Sequence, residues 1–154
     1  MPTYLRQFEA QDVEELTRLG VINHLESRFG KIVPVSETSI QRLIYTVLTN
    51  EDTYIGIVAL DDEKIVGYMI GFITNYSFNE DAYYAADEMV YVIPEYRGKL
   101  VGKKILKAFQ EWAESKGCLE TVIGTISEIA TERTKKLYSK LGFTEVGSLF
   151  RKRT

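Results

Sequence analysis

The sequence predicts an α/β protein of the α+β kind, with a mixed, mostly antiparallel central sheet and helices on both faces. Three observations predict it. The β-rich runs Tyr54–Leu60 and Ile65–Thr74 are separated only by Asp61-Asp62-Glu63-Lys64, a polar turn that makes them an antiparallel hairpin. The first of these runs is continuously apolar, the mark of a strand covered on both faces. A third strand-like run, Tyr83–Ile93, leads into a helix and out to further β-rich sequence, a unit that pairs its strands in parallel through a right-handed crossover.

In chain order, Thr3–Phe8 reads as a short first strand. Ala10–Leu19 follows as a helix with Val13, Leu16 and Leu19 on one stripe, and Gly20 is its expected cap. Residues 21–35 carry no assignable period. Ser36 is placed to N-cap a second helix whose buried face is Ile40, Leu43, Ile44, Val47 and Leu48. The hairpin comes next, then a loop over 75–81 and the strand ending at Pro94, which has no N–H to give a ladder. Val101, Ile105, Leu106, Phe109, Trp112 and Ala113 share one face of a helix over 101–116, with Gly117 after it. Leu119–Ile126 is β-rich. Ile129, Arg133, Leu137 and Leu141 mark a last helix ending at Gly142, and Phe143–Phe150 is the expected final strand.

The chain has 154 residues, 45% hydrophobic and 27% charged, the balance of one ordinary domain spanning 1–154. Its net charge of −3 implies no general attraction to nucleic acid or to an anionic membrane. No run reaches the ~18 apolar residues of a membrane span. The N-terminus lacks a signal-peptide pattern, and Cys118 has no partner for a disulfide, so a cytoplasmic setting is expected. His24 is the only histidine, which argues for a structural role and against a metal site.

The connection between the Tyr83–Ile93 strand and the next helix concentrates Arg97, Gly98, Lys99, Gly102, Lys103 and Lys104. The first turn of a helix has amides without intrahelical partners at the positive end of the dipole, and glycine lets an anion approach the backbone. The spacing therefore suits a phosphate-bearing ligand. It also suits a plain strand–helix connection with a solvated basic rim. The nucleotide P-loop is excluded, because three residues rather than four separate Gly98 from Gly102. The dinucleotide fingerprint fails on spacing too.

Val92-Ile93-Pro94-Glu95-Tyr96-Arg97-Gly98-Lys99 and the retained Arg97 and Gly102 resemble motif A of the GCN5-related N-acetyltransferases (GNAT). The departure is Leu100, which stands where that motif has its first glycine. Leu137-Tyr138 and Leu141-Gly142-Phe143 resemble motif B, with Thr131 in place of the usual Asn. The element order matches across nearly the whole chain, while the specific motifs cover about residues 86–104 and 131–143. The resemblance implies the GNAT acyltransferase fold, acetyl-CoA as co-substrate, no metal, and a small-molecule or peptide amine as acceptor, with no nucleic acid or membrane partner and a possible homodimer. It implies cofactor contacts at Val90, Tyr91 and Val92 on a bulged strand, at Arg97, Gly98, Lys99, Leu100, Val101, Gly102 and Lys103 in the loop, and at Thr131.

Moving an acetyl group from a thioester to an amine requires a base to free the amine's lone pair, donors for the developing oxyanion, and a proton for the departing thiolate. The resemblance places Glu88 as general base, Asp87 as its fallback, and Tyr138 as general acid, in direct attack within a ternary complex. Glu88 read by itself is equally a carboxylate at a strand's solvent edge, and Tyr138 equally a core ring. Cys118 follows a helix end, where the dipole disfavours a thiolate, so it is not expected to be a nucleophile. For the acceptor, Glu26, Glu37, Glu80, Asp81 and Asp87 are expected to attract a cationic amine, with Tyr76, Phe78, Tyr83 and Tyr84 as walls. Leu100 and Thr131 motivate the alternative of a non-catalytic acyl-CoA-binding or regulatory domain of the same fold.

Overall fold

The computed structural model describes residues 2–154. Its elements run β1 (Tyr4–Gln7), α1 (Val13–Glu26), α2 (Glu37–Thr49), β2 (Tyr54–Asp61), β3 (Lys64–Tyr76), β4 (Asn79–Val92), α3 (Val101–Ser115), β5 (Glu120–Val122) and α4 (Thr131–Lys140), with 3₁₀ turns at Ala10–Asp12, Arg28–Lys31 and Pro94–Tyr96. The strands form one sheet in the order β1-β2-β3-β4-β5. The first three pairings are antiparallel and β4–β5 is parallel, the mixed sheet expected.

Register assigns the two faces. A Cβ on Gly67 or Gly71 of β3 would run into α3, at 3.1 Å from Val101 Cγ1 and 2.4 Å from Phe109 Cε1 respectively. Those glycines let α3 lie close on that face. Tyr68, between them in sequence, points the other way, and its hydroxyl accepts from Asn23 Nδ2 of α1 at 3.1 Å. The core is thus a sheet covered by α1 and α2 on one side and α3 on the other. Val58, Val66, Met69, Val101, Ile105 and Phe109 at its centre are wholly buried.

Ser36 caps α2 as expected, its hydroxyl accepting from the Ser39 amide at 3.2 Å. Gly117 and Gly142 follow their helices with φ of +76° and +90°. Two expectations fail. Gly20 does not end α1, which continues to Glu26. The glycine serves instead where α1 meets α2, since a Cβ there would lie 2.7 Å from Ile40 Cγ2. Phe143–Phe150 forms no strand, and Val146 and Phe150 are 86% and 91% exposed. Gly147, at φ +73°, breaks the extended run, so the apolar alternation never lines up on one face. The β-rich run after α3 pairs only over Glu120–Val122, beside Tyr84–Ala86 of β4.

Candidate active site

That short pairing creates the site. β4 continues for six residues beyond Ala86 with no strand on its outer edge, so β4 and the chain leaving β5 diverge. The divergence starts at a bulge. Ile70 pairs with Met89 and Gly71 with Asp87, which leaves Glu88 as the extra residue. Past the bulge the Ile93 amide donates to Val66 O at 3.0 Å. By strand alternation Tyr91 also bonds within the β3 ladder, while Val90 and Val92 turn their peptide groups to the outer edge, where the Val92 carbonyl accepts from Arg97 Nε and its amide stays open. Of the three expected strand contacts, the amide of Tyr91 is therefore spent inside the sheet.

A cavity of about 610 Å³ fills the divergence. Its walls are β4 from Asp87 to Val92, the α3 entry, the Gly124–Ala130 loop, α4, and the end of α1 with its 3₁₀ turn. Asp87, Glu88 and Tyr138 all line it. Glu88 is exposed. Asp87 is more enclosed, and burial pushes its carboxyl up to about 6, although the Gly124 amide pulls the other way. The Tyr138 hydroxyl donates to Gly124 O at 2.8 Å. Its phenol is raised by burial and by the Asp87 charge, so it keeps its proton through the neutral range. The bulge carboxylates and the tyrosine are thus brought to one place from elements more than forty residues apart.

At the other end lies the α3 entry. The first intrahelical bond runs from the Lys104 amide to Leu100 O at 3.0 Å, so the amides of Val101, Gly102 and Lys103 have no partner in the helix. Leu100 sits at φ +68°, the left-handed region that favours glycine, and its side chain is 64% exposed. Gly98, at φ +80°, lies in the region where glycine is unstrained and any side chain is strained. Gly102 does not. A Cβ there would meet only Leu137 Cδ2 at 3.5 Å and Val92 Cγ2 at 4.0 Å, ordinary contacts. Among the described residues nothing forbids a methyl group at 102, and Gly102 lines the cavity with its amide unpartnered in the helix.

The remaining expected ligands divide. Gly98, Leu100, Gly102 and Lys103 line the cavity. Val101 is fully buried against Gly67, so only its amide is available. Lys99 turns away, its Nζ 5.2 Å from the Tyr96 ring centroid and facing a separate hollow. Thr131 does not line the cavity; its neighbours Ala130, Arg133 and Thr134 do. The guanidinium of Arg97 is spent within the protein. Nη1 and Nη2 donate to Glu26 at 2.6 and 2.8 Å and Nε donates to Val92 O at 2.9 Å. Tyr91 completes the clamp by donating to the same carboxylate at 2.8 Å. Arg97 holds its loop to the end of α1, and its fork is not free for a ligand. A cation that does line the cavity beside this loop is Arg133, whose Nη1 stands 4.0 Å from where a Gly98 side chain would begin. The helical period identified Arg133 only as a residue of α4. Its charge in the first turn of that helix was the signal, and only the packing of α4 on the loop gave it a target.

The clamp also removes Glu26 from the acids expected to attract an amine, since Arg97 holds its carboxyl below the usual range. Glu37, Glu80 and Asp81 do not line the cavity, nor do Tyr76, Phe78, Tyr83 and Tyr84. At the far hairpin Tyr76 instead packs tilted against Phe78 and Tyr84, with ring centroids 5.6 and 4.9 Å away. His24 lines the cavity with Nε2 2.6 Å from Val33 O. Cys118 is free and half-buried, and burial raises its thiol, as suits an inert residue.

The residues present fit an acyl-CoA. The open amides of α3, Lys103 and Arg133 suit the diphosphate, and the unpaired edge of β4 suits the amide-bearing arm. Comparison with known proteins agrees with the geometry. The acetyltransferase (GNAT) domain family matches residues 52–145. Among solved structures, the aminoglycoside N-acetyltransferase AAC(6')-Iy, solved with CoA, superposes with a TM-score of 0.76 at 22% identity, covering 99% of this chain and 96% of that one. A glucosamine-6-phosphate N-acetyltransferase from Arabidopsis thaliana gives 0.71 at 18% identity over 99% and 98%. A protein described as a transcriptional regulator from Bacillus halodurans gives 0.77 at 21% over 99% and 100%. At such identities these likenesses establish the fold, and the family match establishes more: this chain belongs to the GNAT acetyltransferase family.

Proposed function

We propose that the protein is an acetyl-CoA-dependent N-acetyltransferase acting on a primary amine by direct attack in a ternary complex. The observation that carries this reading is the convergence of Asp87, Glu88 and Tyr138 at the mouth of the β4–β5 divergence, with the open α3 amides at its other end. Acetyl-CoA supplies the activated acyl group as a thioester. The chain's own residues do the rest. The amides of Gly102 and Lys103, with the cations of Lys103 and Arg133, hold the diphosphate. The peptide groups at Val90 and the Val92 amide, whose carbonyl is already taken by Arg97, orient the pantetheine arm and the acyl carbonyl as an added strand would be oriented. A carboxylate at the bulge takes the amine's proton, and Tyr138, released from Gly124 O, gives one to the leaving sulfur.

Glu88 is the proposed base, because it is the bulge residue and is open to an arriving ammonium. A second reading makes Asp87 the base, favoured by a carboxyl at about 6, close to the working pH of a general base, and by its link to Tyr138. Asp87 in the folded chain binds its proton more tightly than an ordinary aspartate. If it is the base, kcat/KM climbs as pH rises through about 6, and D87N abolishes that limb while E88Q retains it. The reverse pattern assigns the base to Glu88. Thiol release over pH 5–9 with a panel of amines tests both, alongside Y138F. Acetyl-CoA binding without acceleration of thiol release by any amine or peptide refutes the enzyme and leaves the regulatory acyl-CoA-binding domain.

A further inference from the structure

Beside the cavity, at the end of α1, stands a cluster of the opposite charge from the acids expected to attract an amine; Asp87 and Glu88 line the cavity itself, and the cluster's cations stand outside its lining, behind Phe29. Phe29, in the 3₁₀ turn Arg28–Lys31, lines the cavity. Arginines flank its ring, with the guanidinium carbons of Arg28 and Arg151 at 5.2 and 5.7 Å from the centroid. The C-terminal tail is drawn over this turn by Arg153 as well, whose Nη1 donates to Lys31 O at 3.4 Å. The turn is tied on its other side to the loop after β5, where the Arg28 amide donates to Ser127 O at 2.9 Å. Of the acids near this rim, Glu128 lies 3.8 Å from Arg28 Nε, a loose pairing, and Glu26 is consumed by Arg97 and Tyr91. Among the described residues, the contacts gather Arg28, Lys31, Arg151 and Arg153 around Phe29 with the partly engaged Glu128, while Asp87 and Glu88 stand elsewhere on the cavity wall. Stacking on an aromatic ring holds a guanidinium flat and leaves its N–H edge directed outward, the geometry that receives a carboxylate or phosphate.

We propose that the acceptor is an amine that also carries an anionic group, and that this group docks on the Arg28–Phe29–Arg151 rim while the amine reaches the bulge of β4. This inference rests on the acetyl-transfer reading and adds the substrate class to it. A phosphate and a carboxylate share the chemistry recognised here, so acceptors of both kinds belong in the test.

The test is thiol release by the full chain with acetyl-CoA and matched acceptors: ethanolamine against phosphoethanolamine, an aminosugar against its phosphate, an alkylamine against its ω-carboxylate, and spermidine as a polycation. The anionic member of at least one pair is expected to exceed its parent in kcat/KM by about tenfold at low salt, the size of one charge-assisted contact. The advantage shrinks as salt is raised. R151A is expected to lower kcat/KM for the anionic member, through KM, several-fold more than for the parent, and R151K to restore part of it. Preference for spermidine or for the parents that lack the anionic group overturns the proposal while leaving acetyl transfer intact. So does an R151A effect equal on both members of a pair. Failure of every amine to accelerate thiol release from protein that binds acetyl-CoA overturns both readings together.

Discussion

Gly102 separates what the fold needs from what the ligand needs. It occupies the first turn of α3 with helical backbone, and a methyl group there meets only Leu137 Cδ2 and Val92 Cγ2 at ordinary van der Waals distances. Replacing glycine by alanine in a helix gains up to about 1 kcal/mol, because the unfolded chain loses freedom it would otherwise regain. The first turn is the weaker end of that range. G102A is therefore expected to unfold at the same temperature or up to about 3 °C higher, given about 2–4 °C per kcal/mol for a chain of this size. The same methyl group projects beside the open amides. It lengthens the N–H···O⁻ contact to a diphosphate or removes it, a loss of about 1.5–3 kcal/mol for a hydrogen bond to a charged group. That corresponds to roughly tenfold to a hundredfold weaker acetyl-CoA binding. Thermal unfolding and calorimetric titration on one preparation read both numbers. A variant that is at least as stable and binds much worse supports the site. Unaltered binding refutes the assignment of the α3 entry to the diphosphate, whatever happens to stability.

Two further outcomes follow from the same loop. Leu100 pays about 1–2 kcal/mol to hold φ +68° and is mostly exposed, so L100G relieves strain at the cost of up to about 1 kcal/mol of unfolded-chain entropy. Unfolding is expected to move little or upward and acetyl-CoA to bind more tightly; a clear loss of stability would show that the isobutyl group packs on something that matters. R133A is expected to weaken CoA and dephospho-CoA alike by several-fold and to flatten the salt dependence of binding, since the cation stands over Gly98. Weakening of CoA alone would move Arg133 to the 3′-phosphate.

The site is also where charge and geometry part company from residue type. Arg97 is the residue a motif reading would assign to phosphate, yet its fork faces Glu26, seventy-one positions earlier in the chain. Spacing along a sequence says which side chains leave a loop together. It carries no information about a carboxylate arriving from another helix. The same holds for the setting of Asp87: the resemblance offers it as a fallback base, but the burial that raises its carboxyl to about 6 comes from the tertiary packing and from no spacing. Thr131 and Lys99 belong to the right segments but stand outside the cavity lining, because side chains one position apart in a helix diverge by about 100° and the motif fixes only a few of those directions.

What the sequence determined by itself was local and periodic. The hairpin, the amphipathic stripes, the Ser36 and Gly117 caps and the strand–loop–helix with its bare glycines all follow from side-chain period and backbone preference, which neighbouring residues settle among themselves. The tertiary structure decided everything that required two distant segments to meet. Gly20 continues its helix because Ile40 lies against it; β5 stops after three residues, which opens β4; and the tail after Gly142, broken by the left-handed Gly147, lies over Phe29 instead of joining the sheet. Period is written into a chain at each residue, whereas proximity is fixed only when the whole core closes.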